Sequence, residues 1–150
     1  MNRSKVVALA ALVMLASTLA AFLLLRPGEV ATTYYGVRLG DPLAVTRARF
    51  QPGAPGGTWT SETAPAPVLT WTPAQPGAVR HARFEFHQGL LVAARFTLAK
   101  TAPEASGPAL ALTRASVVSR RGEGDGVMLT VLSRDCPDHA AEVRALVGSP

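Results

Sequence analysis

Val79–Leu98 reads VRHARFEFHQGLLVAARFTL, and its two-residue rhythm decides the fold. Ala82, Phe84 and Phe86 alternate with Arg83, Glu85 and His87. Beyond Gln88-Gly89, Val92, Ala94, Phe96 and Leu98 alternate with Arg95 and Thr97. A period of two sends successive side chains to opposite faces of a strand. Glycine tolerates the positive φ that a tight hairpin turn requires. The stretch therefore predicts an antiparallel hairpin with one apolar and one charged face, part of a sheet covered on one side.

The same signals recur outward along the chain. ASVVSRRGEGDGVMLTVLSR (115–134) predicts a second hairpin turning at its glycines, and APVLTWT (66–72) adds a fifth strand. QPGAPGG (51–57), TPAQPGA (72–78) and TAPEASGPA (101–109) are loops by composition. Two short helices are expected near 41–50 and 137–147. In the first, Asp41 suits an N-cap and Pro42 the first helical position. The second presents Ala140, Val143, Leu146 and Val147 as a stripe and ends at Gly148. One cysteine in 150 residues permits no internal disulfide, so a core must hold the domain together.

Val6 to Leu25, VVALAALVMLASTLAAFLLL, has no charge. As a helix it would span about 30 Å, the thickness of a bilayer's hydrocarbon core. We expect an N-terminal transmembrane helix over 1–25, a linker over 26–35 and a small α+β domain over 36–150, with about five strands and two short helices. Arg3 and Lys5 precede the run, which orients the N-terminus to the cytoplasm and the domain to the periplasm or cell surface of a bacterial inner membrane. Ala16 and Ala20 lie four apart, a spacing that admits a neighbouring helix. Cleavage after Thr18-Leu19-Ala20 would instead release a secreted or periplasmic domain.

The formal charge is +5, of which Arg3 and Lys5 contribute two and the remainder of the chain +3. Its arginines are dispersed, whereas a nucleic-acid surface concentrates them in a stripe with aromatic residues interleaved. No nucleic-acid partner is expected.

YGVRLGDPLAVTRARFQPGAP (35–55) followed by RFEFHQGLLVAARF (83–96) resembles the small outer-membrane assembly lipoproteins of the BamE/SmpA type and the wider β-lactamase-inhibitor-like fold. Gly40, Val45, Gly53 and Pro55 match that family's helix and turn, and Phe86, Gly89 and Leu91 its hairpin. The resemblance covers residues 36–98. It implies a non-catalytic module that binds other envelope proteins, although the family's lipid-accepting cysteine has no counterpart here.

SRDCPDHAAEV (133–143) is the stretch richest in reactive groups. Cys136 at a helix start, with His139 one turn on, is a candidate thiol site, since a helix N-terminus favours the thiolate. Asp135 and Asp138 oppose a bare thiolate, and CP repeats the DP that opens the first helix. The cluster therefore reads first as a helix start. Zinc needs three or four protein ligands. Cys136 and His139 supply two, while His81 and His87 stand about 20 Å apart along one strand, so neither a metal nor a cofactor is expected. GEGDG lacks a calcium loop's ligand spacing. Trp59 and Trp71, beside loops, are candidate partner anchors.

The reading is a non-enzymatic, membrane-anchored accessory or binding subunit of a larger envelope assembly, partnered by other membrane or envelope proteins and by the bilayer through residues 6–25. A released binding domain and a thiol-dependent redox protein using Cys136 are its alternatives.

Overall fold

The structure is a computed structural model and describes residues 33–53 and 55–148. In chain order it forms β1 (Thr33–Tyr34), β2 (Val37–Arg38), α1 (Leu43–Arg49), β3 (Gly57–Glu62), β4 (Val68–Pro73), β5 (Val79–His87) and β6 (Leu90–Ala99). A 3-10 turn (Pro103–Ala105) follows, then β7 (Leu110–Leu112), β8 (Ser116–Glu123) and β9 (Gly126–Ser133). A second 3-10 turn (Pro137–His139) leads into α2 (Ala140–Gly148). Seven strands make one antiparallel sheet in the order β3-β4-β5-β6-β9-β8-β7, and β1-β2 form a separate small ribbon.

The hairpin of β5 and β6 forms where the alternation predicts it, with Gln88 and Gly89 at φ 51° and 80° in its turn. Directly paired residues share a face. Leu69, Phe84, Ala94, Val131 and Val118 therefore line one row of the core face, and Trp71, Ala82, Phe96 and Leu129 the next. A register shift between Glu85 and Phe86 pairs Phe86 with Leu91 and leaves Val92 as the extra residue. Leu91, rather than Val92, enters the core.

Tyr34, Val37 and Phe50 close this face from above. Tyr35 donates its hydroxyl to Glu104 Oε2 at 2.7 Å. Burial, and then that carboxylate, push its phenol's pKa upward. On α1, Leu43, Thr46 and Phe50 face inward at helical spacing. Thr46 is fully buried and its Oγ1 has no hydrogen-bond partner among the described residues. An orphaned buried hydroxyl costs stability that an apolar group of the same shape avoids. Thr46→Val is therefore expected to raise the unfolding free energy by about 1 kcal/mol, read as a higher urea midpoint at unchanged slope.

The opposite face is covered too. Ala93, Leu132 and Val117 share a row there, all fully buried. Arg95 extends from this face to Glu142 of α2, Nη2 to Oε2 at 2.7 Å.

Several expectations are corrected. The domain is mostly β rather than α+β, with seven strands in its main sheet rather than about five. The additional strands are short, or exposed on both faces, and so carry no alternation. The helices are short, and Asp41 does not cap α1. Pro42 holds the cap position without a side-chain bond, while Asp41 Oδ2 accepts from the Arg38 amide at 3.1 Å.

Among the described residues no helix is long and apolar enough to cross a membrane. The longer, α2, has nine residues, about 14 Å at the helical rise against the roughly 30 Å required. The transmembrane helix expected over 6–25, with Ala16 and Ala20, lies outside the described residues. The signal-anchor description and the single-pass inner-membrane placement have no supporting helix among the described residues and are withdrawn.

Candidate functional site

Two regions concentrate recognisable chemistry. The first lies where α1 meets the edge of the sheet. Phe50 presents its ring to Trp59, Trp71 and Phe84 at centroid distances of 5.6, 5.1 and 5.2 Å, each edge-to-face. That geometry sets a ring's positive rim against its neighbour's negative face. Arg47 lies over Trp59, 5.7 Å from the ring centroid.

Arg47, Pro52, Gly56, Gly57, Trp59 and the edge of Trp71 line an open recess of about 260 Å³. A Cβ on Gly57 would stand 2.2 Å from Trp71 Nε1, so only glycine lets the strand lie against the indole. The two tryptophans thus separate. Trp71 is 3% exposed and belongs to the core, whereas Trp59 is half-buried at the mouth of the recess.

Beside the recess runs β3, an edge strand. Five of its six residues are exposed, and it has a strand neighbour on one side only among the described residues. The opposite edge, β7, has three residues. Natural sheets blunt their edges by keeping them short, charged or bulged. β7 follows that practice. β3 is longer and places only Glu62, its last residue, against lateral pairing.

The second region lies on the other face, under the 3-10 turn that opens α2. Glu85 accepts from Arg83 Nε at 3.0 Å and from Arg95 Nη1, and Arg95 continues to Glu142. His139, buried, faces Glu85 Oε2 at 3.4 Å and Glu142 Oε2 at 3.5 Å. These contacts fasten the turn to β5 and β6. His139 is thereby engaged by carboxylates. The imidazole brought to Cys136 is that of His87, at the end of β5, together with Asp138. His87 Nδ1 lies 2.6 Å from Asp138 Oδ2. Sequence reading paired Cys136 with His139 because they are neighbours in the chain. His87 carried no signal beyond its place on the polar face of its strand.

Another concavity, of about 520 Å³, lies between α2 and β8, lined by Leu110, Arg120, Arg121, Met128, Glu142 and Leu146 among others. The Arg120 side chain leaves from the other face of the sheet, its Nε donating to the Glu104 carbonyl at 2.9 Å.

The motif residues of the family resemblance occupy turns and the hairpin. Gly40 and Gly53 adopt φ 88° and 77° at either end of α1, and Val45 is half-buried on that helix. Gly89 completes the β5-β6 turn, and Phe86 pairs with Leu91. No family model, no curated protein and no solved structure matches the chain.

Proposed function

We propose that the domain is a non-enzymatic protein-binding module that takes up an extended segment of a partner along β3. The observation that supports this best is the six-residue edge strand, exposed on both faces and adjoining the Trp59 recess. Strand addition of this kind draws affinity from main-chain hydrogen bonds and specificity from pockets that receive alternate side chains. The recess is such a pocket. Trp59 offers an apolar wall and Arg47 a cation, so the favoured side chain combines an apolar body with an acidic or carbonyl tip. The motif resemblance over residues 36–98 supports the same reading, an accessory subunit within a larger assembly.

The test is selection from a phage-displayed random peptide library, followed by amide hydrogen exchange on the complex. Selected peptides should alternate in polarity and slow exchange across residues 57–62. Trp59→Ala should cost about 2 kcal/mol of binding, the scale of an interface hot spot, which is roughly 30-fold in Kd. Peptides that protect another surface, or that bind Trp59→Ala undiminished, would refute the edge.

A further inference from the structure

Cys136 is 5% exposed and forms no disulfide. Beside this buried sulfur stand one imidazole and one carboxylate. The ligand atoms of His87, Cys136 and Asp138 all lie within 4.8 Å of one another. We propose that these three side chains form a binding site for a thiophilic divalent cation of the zinc class, with a fourth coordination position open to solvent.

The donor set argues for zinc over harder ions. Thiolate and imidazole suit zinc, whereas calcium and magnesium take oxygen ligands. Zinc–ligand bonds of about 2.0–2.3 Å place tetrahedral ligands roughly 3.3–3.8 Å apart. His87 Nδ1 and Asp138 Oδ2, now 2.6 Å apart, must separate slightly, and no pair, all being within 4.8 Å, has to close by more than about 1.5 Å. Both adjustments fall to half-buried His87 and exposed Asp138, whose side chains are 33% and 56% accessible. The sulfur stays in its buried seat.

Charge balance points the same way. Neutral imidazole, thiolate and carboxylate sum to minus two, which the metal neutralises as the thiol proton leaves to solvent. The frame is rigid as well. His139, held between Glu85 and Glu142, pins the 3-10 turn that carries Asp138 and follows Cys136. β3 takes no part in this site.

The test uses the tag-free, full-length chain, stripped with chelator and titrated with Co²⁺ by absorption and with Zn²⁺ by calorimetry. One equivalent should bind, with a thiolate-to-cobalt charge-transfer band and the intense visible bands of tetrahedral cobalt. Loss of an outer-shell partner alone costs 10–100-fold in affinity, so His87→Gln and Asp138→Asn should each cost at least about 100-fold. His81→Gln, on the same strand, should bind as the native chain does. Circular dichroism establishes that the variants fold, which the exposure of His87 and Asp138 favours even if Cys136→Ser does not. Absence of one-to-one binding, a cobalt spectrum without the sulfur band, or undiminished binding by His87→Gln would each overturn the site.

Discussion

Phe50→Ala is expected to lower the unfolding free energy by about 3–5 kcal/mol, the range for truncating a buried aromatic residue. Phe50 closes α1, and its ring touches four others: Trp59, Trp71, Phe84 and Phe96. Such contacts add about 0.5–1.5 kcal/mol per pair beyond the area they bury. The site cannot collapse easily, because the surrounding rings belong to four different strands. Against the usual 5–15 kcal/mol of a small domain, this loss should lower Tm by roughly 10–25 °C. Phe50→Leu keeps most of the volume and should cost about 1.5 kcal/mol or less. Urea unfolding followed by tryptophan fluorescence reads both. A loss under about 1 kcal/mol for alanine would mean that α1 is not anchored through this ring.

The second large effect is at Gly36, in the turn between β1 and β2. Its φ of 82° disfavours any residue with a Cβ, and that Cβ would lie 2.1 Å from the Arg49 carbonyl oxygen. Alanine would meet both obstacles: about 1–2 kcal/mol for the left-handed backbone and about 1–3 for a clash in a packed site. The neighbouring hydrogen bond from the Gln51 amide to the Tyr35 carbonyl, 2.8 Å long, would be stretched. We expect Gly36→Ala to cost about 3–4 kcal/mol in all. Gly40 has a similar φ of 88°, but a Cβ there would meet nothing within 4 Å, so Gly40→Ala should cost only the backbone share. The difference between the two variants isolates the clash. Equal losses would show that the β1-β2 ribbon does not rest on the end of α1.

The strands read from sequence and the strands missed differ in one physical respect. β5 and β6 bury one face more than the other, so their alternation is written in residue type, while β8 and β9 show as apolar runs about a glycine turn. β3 is exposed on both faces, and Thr58, Thr60 and Ser61 show no contrast with their neighbours. β1, β2 and β7 are two or three residues long, too short for any period. These unreadable strands changed the class from α+β to mostly β. The tryptophans illustrate the same limit. Both adjoin loops in the chain, but pairing with β5 buries Trp71 while the edge position of β3 leaves Trp59 at the surface.

Local chemistry alone settled the two hairpins, their glycine turns and the single core without disulfides, because each depends on neighbours a few residues apart. The order of the strands, the free edge at β3 and the meeting of His87 with Cys136 and Asp138 came from folding. In those cases the partners are far apart in the chain. They meet only because β5 ends beside the turn that opens α2, and pairing register together with the packing of that turn determines where a side chain arrives.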